Sequence, residues 1–375
     1  MIMENTITLL VDGRQAFPEI IRCIEHARHS VEINMFIWRD DRIGNRAAQA
    51  VLTAADNGAK VSISVDRYGV VLEKCEESRR SFFHKEQTPT ELAKVRLLEL
   101  LYPETCGTGM DDDEVSALYQ RLISHPNIRV SADVFKADHS KFYIIDDEIL
   151  FIGGINIEDK ENGRDQSGRV YGDYMAKLTG PKYVQAFREK LATGRNTLNG
   201  LFFGVNLKEP ERRFEMEALY LDLINSARKE LHITMAYFSP LKPFVEALIA
   251  AHQRGVRVTI VMPEHANFQN DSNRRTARQL LKATGGGIRV YFSPKMLHTK
   301  LVMNEEMISF GSTNITKKAF GQLNELNLFV PNTDSKFQRT LTRSVQDDIL
   351  GARLIKSHRD VRYNPFLAFL EGFVV

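Results

Sequence analysis

The sequence predicts an α/β protein made of two pseudo-symmetric halves, each a mixed β-sheet sandwiched between helices in an α/β/α arrangement. Three observations predict it. Helical apolar patterns alternate with β-branched strand patterns along the chain, as in layered α/β folds. One stretch repeats: Ala27-Arg28-His29-Ser30-Val31-Glu32-Ile33-Asn34-Met35 aligns with Ala227-Arg228-Lys229-Glu230-Leu231-His232-Ile233-Thr234-Met235. Each half also carries one His-x-Lys run in an apolar segment, followed by Gly-Gly-Ile-Asn (153–156) or Gly-Ser-Thr-Asn (311–314).

The elements follow in order. Phe17, Ile20, Ile21, Ile24 and Ala27 recur at helical spacing before the first repeat; Met216, Leu219, Tyr220, Leu223 and Ala227 do so before the second. Each repeat then reads as a strand that exits in aromatics, Phe36-Ile37-Trp38 in one half and Tyr237-Phe238 in the other. A second helix ends at Gly58 or Gly255, the expected left-handed cap, and a β-branched strand follows. The run Lys141-Phe142-Tyr143-Ile144-Ile145 is apolar on both faces, as a central covered strand should be.

The halves are not equal copies. The first is longer by roughly 38 residues placed within Val71–Asn127, around 71–127. This insertion holds a charged helical stretch, Glu91–Leu98, and an acidic turn, Gly109–Glu114. It reads as a lid or specificity element, or as a solvated helical hairpin. Glycine, asparagine and proline cluster between Asn196 and Pro210, which sets the expected halves at 1–205 and 206–375.

At 375 residues the chain can bury two cores, and its 43% apolar and 26% charged composition is that of a globular protein. A net charge of +2 gives no strong overall field for nucleic acid. Cys23, Cys75 and Cys106 are few, odd in number and not spaced as metal ligands, so they read as reduced thiols of a cytosolic protein. The N-terminus shows no signal-peptide pattern, and no apolar run reaches the roughly 18–20 residues that span a bilayer. The expected state is therefore soluble or surface-attached, cytoplasmic and peripheral at the inner face of the membrane. Apolar Pro365–Val375 reads as a last core-packing element or an interfacial anchor, and Leu201–Val205 as a second candidate membrane-contact loop.

The chemistry lies in His139-Ser140-Lys141 followed by Asp146, and in His298-Thr299-Lys300 followed by Glu305. In a strand, residues two apart share a face, so each His and Lys should point the same way. A single run with this spacing arises by composition about 0.1 times in such a chain, whereas two copies with matching trailers are not an accident of composition. Lysines 141 and 300 can neutralise the non-bridging oxygens of a phosphodiester, and Asn156 and Asn314 can donate to the same oxygens, with Gly154 and Ser312 beside them. One neutral imidazole can attack phosphorus; the other, protonated, can protonate the leaving oxygen. Asp173 and Glu325 are candidates to orient the histidines, and Asp146 and Glu305 to tie down strand ends. No metal or other cofactor is expected, since no H-E-x-x-H run or cysteine cluster is present.

The duplicated His-x-Lys run resembles the phospholipase D superfamily. Val11–Phe17, Phe36–Gly44 and Gly311–Asn314 resemble bacterial cardiolipin synthases of that type, over most of the chain outside the insertion and roughly the last twenty residues. The resemblance implies two phospholipase D-like halves, a phosphohistidine on the first-half histidine, and the second-half histidine as acid. It implies that Glu325 pairs with His139 and Asp173 with His298. It implies transfer of a phosphatidyl group from a phosphatidylglycerol-like donor at a membrane surface, forming cardiolipin. Hydrolysis of lipid, or cleavage of nucleic acid, would use the same residues; nucleic acid is not the expected partner, and the oligomeric state is not set by the sequence. Glu305 departs from the family's aspartate, and the second hairpin is one residue shorter.

Overall fold

The structure, a computed structural model, describes residues 5–76, 79–106 and 116–374. The expected acidic turn at 109–114 lies outside them. The chain separates into two compact units, Met1–Thr197 and Leu198–Val375.

In the first unit a seven-stranded sheet runs in the order Thr6–Val11, Tyr174–Thr179, Ile149–Gly153, Phe142–Ile145, Ser30–Met35, Lys60–Val65, Ile128–Ser131. The last three strands are mutually parallel and the other pairings antiparallel. Helices Asp12–Glu25 and Arg42–Asp56 cover one face, and their buried stripes include Phe17, Ile20, Ile24, Ala48 and Val51. Burying a side chain such as Ile24 contributes roughly 1.5–3 kcal/mol. Asp41 caps the second helix, accepting from Gly44 N at 2.9 Å. That helix stops at Gly58, whose φ of +97° a side chain would resist. Helix Pro181–Thr193 lies on the other face, with the Phe187 ring 5.0 Å from that of Phe142. The layers are thus α/β/α.

The second unit repeats this order with Phe202–Leu207, Glu325–Pro331, Met307–Gly311, Lys300–Asn304, Glu230–Met235, Arg257–Pro263 and Arg289–Ser293. Arg213–Phe214 and Arg353–Ile355 extend its two edges to give nine strands. Helices Met216–Ser226, Lys242–Gln253 and Asn270–Ala283 bury Tyr220, Leu248 and Leu280 against one face, and Lys336–Leu350 covers the other. Gly255, at φ +87°, ends the helix equivalent to that ended by Gly58.

Several expectations need correction. The division falls at Thr197/Leu198, ahead of 205/206, because Phe202–Leu207 pairs with Glu325–Pro331 and belongs to the second sheet. For the same reason Leu201–Val205 is no membrane-contact loop: Phe203 and Val205 are buried, and Phe202 stacks on Phe329 at 4.5 Å. The cysteines are not all reduced thiols. Cys75 and Cys106 form a disulfide with Cα atoms 4.8 Å apart, while Cys23 is free and buried. The backbone of Glu76 bridges that of Cys106, which brings the two ends of a 31-residue separation together. The cysteines therefore no longer argue for a reducing compartment.

The insertion forms helices Val70–Cys75, Pro89–Leu101 and Ala117–Ser124. Its middle helix starts in a capping box, Thr88 with Glu91, behind Pro89, and buries Val95 and Leu98. At the C-terminus, Pro365–Val374 is a helix lying on Asn270–Ala283, with Ala368 and Glu371 buried while Phe366 and Phe369 are exposed. Glu371 accepts from Ser272 N at 2.6 Å. No helix among the described residues is long and apolar enough to cross a membrane.

Candidate active site, one set in each unit

In both units the motif histidine sits just before the central strand, whose first residues are Phe142 and Lys300. The expectation that His and Lys both lie within a strand is adjusted accordingly. The reason is local. Each lysine ammonium turns back onto the carbonyl of its own motif histidine, Lys141 Nζ on His139 O at 2.5 Å and Lys300 Nζ on His298 O. Both lysines are fully buried and both histidines nearly so. An ammonium held in such low-dielectric surroundings acts on an anion far more strongly than one in water.

In the first unit the His139 ring stands edge-on to Phe36, centroids 4.8 Å apart, and Lys141 Nζ lies 5.2 Å from the same ring centroid. Asn156 is buried, and its Oδ1 has no hydrogen-bond partner among the described residues. Asp173 stands just before Tyr174–Thr179, its backbone N–H donating to Asp12 Oδ1 and its Oδ1 accepting from Tyr174 N at 2.8 Å. A Cβ at Gly154 would fall 2.2 Å from Asp173 Oδ2, so the absence of a side chain there makes room for the acid.

The second unit solves the same problem with other residues. Ser312 replaces Gly154, and its hydroxyl donates to Glu325 Oε2 while accepting from Leu326 N at 2.9 Å. The longer acid and the hydroxyl occupy together what aspartate and bare glycine occupy in the first unit. Asn314 Oδ1 accepts from Tyr237 N at 3.3 Å, which fixes the amide so that Nδ2 is the group left to donate. The Tyr237 ring lies 6.4 Å from His298, and its hydroxyl donates to Asn267 Oδ1 at 2.7 Å.

Asp146 and Glu305 stand apart from these sets. The Asp146 carboxylate accepts from the N–H groups of Arg28, His29 and Ser30 at 2.7–3.1 Å, clamping the start of the neighbouring strand. Glu305 accepts from Arg228 and Glu230 in the matching place; burial works to raise its carboxyl, but the backbone N–H groups hold it below the usual range.

Sequence reasoning missed the groups that set the loop before His139. The Asp66 carboxylate accepts from Lys136 N at 3.0 Å and from Asp138 N, pinning the loop at two points. Asp138 accepts from Ser140 and from Asn34 Nδ2, and burial raises its carboxyl. The available signal was that Asp138 directly precedes His139, while the equivalent position in the second unit is Leu297.

A buried ionic cluster next to Asn156 in the chain was also missed. Arg39 contacts Glu158 at 2.9 Å and Glu76 at 3.6 Å, and Lys160 contacts Glu76 at 2.7 Å. His84 Nδ1 faces Glu73 Oε2 at 2.8 Å and His84 Nε2 faces the Ala132 carbonyl at 2.9 Å. With an acceptor at each nitrogen, both must donate, so His84 is an imidazolium. Burial alone would lower its pKa, but the Glu73 charge raises it. His232 is the opposite case: burial pushes it down to about 4, and it is neutral in a cavity of about 260 Å³ beneath Lys336–Leu350 that His298, Lys300 and Asn314 do not line.

Comparison with known proteins agrees with this geometry. The family described as "Cardiolipin synthase, PLD-like domain" matches residues 20–192 and 220–349. Cardiolipin synthase 2 of Staphylococcus epidermidis is 23% identical over 393 residues, covering 98% of this chain and 73% of the relative. Cardiolipin synthase B of Escherichia coli K12 is 25% identical over 361 residues, covering 90% and 78%. Among solved structures, phosphatidylserine synthase of Haemophilus influenzae Rd KW20 shares the fold, with a TM-score of 0.69 at 13% identity over 97% of this chain and 91% of that one. The chain belongs to the cardiolipin synthase family of phospholipase D-like proteins and is a phospholipase D-type phosphatidyltransferase.

Proposed function

We propose that this enzyme forms cardiolipin from a phosphatidylglycerol-like donor at a membrane surface, through a phosphohistidine. One observation carries the reading: each unit, by itself, builds the same buried lysine, adjacent histidine and trailing asparagine at the mouth of its central strand. Two such sets supply the two histidine roles and the doubled cationic charge that phosphodiester transfer needs.

In the proposed reaction the His139 imidazole attacks phosphorus, forming a P–N bond as the P–O bond to glycerol breaks. His298 gives its proton to the departing glycerol oxygen. The hydroxyl of a second lipid then attacks phosphorus and passes its proton to His298, and the P–N bond breaks. Lys141, Lys300, Asn156 and Asn314 hold the non-bridging oxygens throughout. Asp173 and Glu325 act as orienters of the histidines.

Incubating the purified chain with phosphatidylglycerol vesicles and weighing the products tests this. Cardiolipin with glycerol is the expected outcome. Phosphatidic acid would replace transfer by hydrolysis, and cleavage of single-stranded DNA without lipid turnover would replace the lipid reading altogether.

A further inference from the structure

A chain of rings leads from the first motif histidine to the protein surface. His139 contacts Phe36 at 4.8 Å, Phe36 contacts Tyr68 at 6.0 Å, and Tyr68 contacts Phe135 at 5.0 Å. Phe36 is buried at 4%, while Phe135 is 58% and the adjacent Val134 52% exposed. All lie in one unit, and the last pair sits on the loop that carries His139 itself.

That loop is not free to tuck its apolar tip away. Asp66 accepts from Lys136 N and Asp138 N, and Arg67 N donates to the Val134 carbonyl at 3.3 Å. Two large apolar side chains are thus presented to solvent side by side from a fixed backbone, at the outer end of the rings that start at His139. The charges around them are engaged within the protein, which leaves the apolar pair as the feature presented to a partner. Arg67 is shared between Glu91 at 2.9 Å and Asp133 at 3.6 Å, and the Lys136 ammonium donates to Ser64 Oγ at 2.9 Å.

We propose that Val134 and Phe135 are the membrane-facing end of a lipid track, with Phe36 and Tyr68 beneath the glycerol and upper acyl segments of the bound phospholipid. This rests on the lipid reading above and adds where the acyl region lies. The scale fits. The headgroup layer of a bilayer is only about 5–8 Å deep. The ring path from His139 to Phe135 is on the order of 15 Å. A phospholipid with its phosphorus at His139 can therefore follow the rings beyond its headgroup.

The test pairs a Val134→Ser/Phe135→Ser variant with two forms of one substrate: long-chain phosphatidylglycerol in vesicles and dihexanoyl phosphatidylglycerol below its critical micelle concentration. On vesicles the apparent KM should rise on the order of tenfold, while turnover of the dispersed substrate stays within about twofold. Unchanged vesicle kinetics would overturn the track, and so would an equal loss on both substrate forms. If the parent enzyme turned over neither lipid, the lipid reading itself would fail and take the track with it. A binding readout needs no turnover: Phe135→Trp should have its fluorescence quenched by vesicles brominated in the upper acyl chain. Emission insensitive to those vesicles would also overturn the proposal.

Discussion

Lys160 and Lys318 occupy equivalent places, four residues beyond the motif asparagines, and the two units treat them in opposite ways. The equivalence is structural: Trp38 bridges Ile157 in parallel, as Phe238 bridges Ile315. In the first unit Lys160 meets Glu76 and Glu158, whose charges raise its pKa well above the usual value although burial opposes them. In the second unit Thr316 stands where Glu158 does, Ser239 where Arg39 does, and burial lowers Lys318 to about 8. One fold thus supports its site loop with buried ions in one copy and with hydroxyls and amides in the other. Thr276 Oγ1 donates to the Phe238 carbonyl at 2.8 Å, and Asn273 Nδ2 to that of Ala236 at 2.8 Å. The difference teaches that the duplication preserved the strand mouth and left its foundations free to diverge.

The largest test asks whether the two histidines also diverge in role. On an aryl phosphodiester, whose leaving group needs no acid, His298→Ala should still release a burst of about one aryl alcohol per enzyme, while the resolving step, which uses His298 as base, stays slow. His139→Ala should lose about three to four orders of magnitude on either substrate. Loss of the burst in both variants would contradict the assignment.

Next in size is the ionic foundation. Arg39→Ala leaves Glu158 and Glu76 buried with one cation fewer, and should cost about 3–5 kcal/mol in urea unfolding. Ser239→Ala in the other unit should cost under about 1 kcal/mol, since a single hydroxyl interaction is lost. Comparable losses would mean that the cluster is not the support described.

The smallest effect is a pH dependence. Because folding lowers the pKa of Lys318, the unfolded chain binds more protons between about pH 8 and 10.5, so this residue makes stability rise with pH across that window. Lys318→Met should remove a contribution of about 1–3 kcal/mol to that slope. Lys160, whose pKa is raised, works in the other direction: its contribution is complete below the usual lysine value and fades only above it. Denaturant midpoints at pH 8 and pH 10 for Lys318→Met and Lys160→Met separate the two.

Much of the fold could be read along the chain. Helical spacing marked Phe17–Ile24 and Met216–Leu223, and glycines 58 and 255 marked where helices stop, because these signals depend on a few neighbouring residues. Phe202–Leu207 could not be read so. Gly204 looks like a linker residue, yet a Cβ there would lie 2.6 Å from the Phe329 ring and 2.8 Å from Leu219, so the glycine serves close packing on a strand 120 residues away. The disulfide and the His84–Glu73 pair were equally hidden, since both depend on the path of the insertion through space.

The sequence by itself determined the duplication, the two central strands and the identity of the His-Lys-Asn sets, because each is written in local spacing. Only the tertiary structure decided which acids clamp strand ends, which cations are buried in pairs, and that rings from three separate segments line up behind His139. Those contacts join residues far apart in the chain, and their energies come from exclusion of water, which no local pattern encodes.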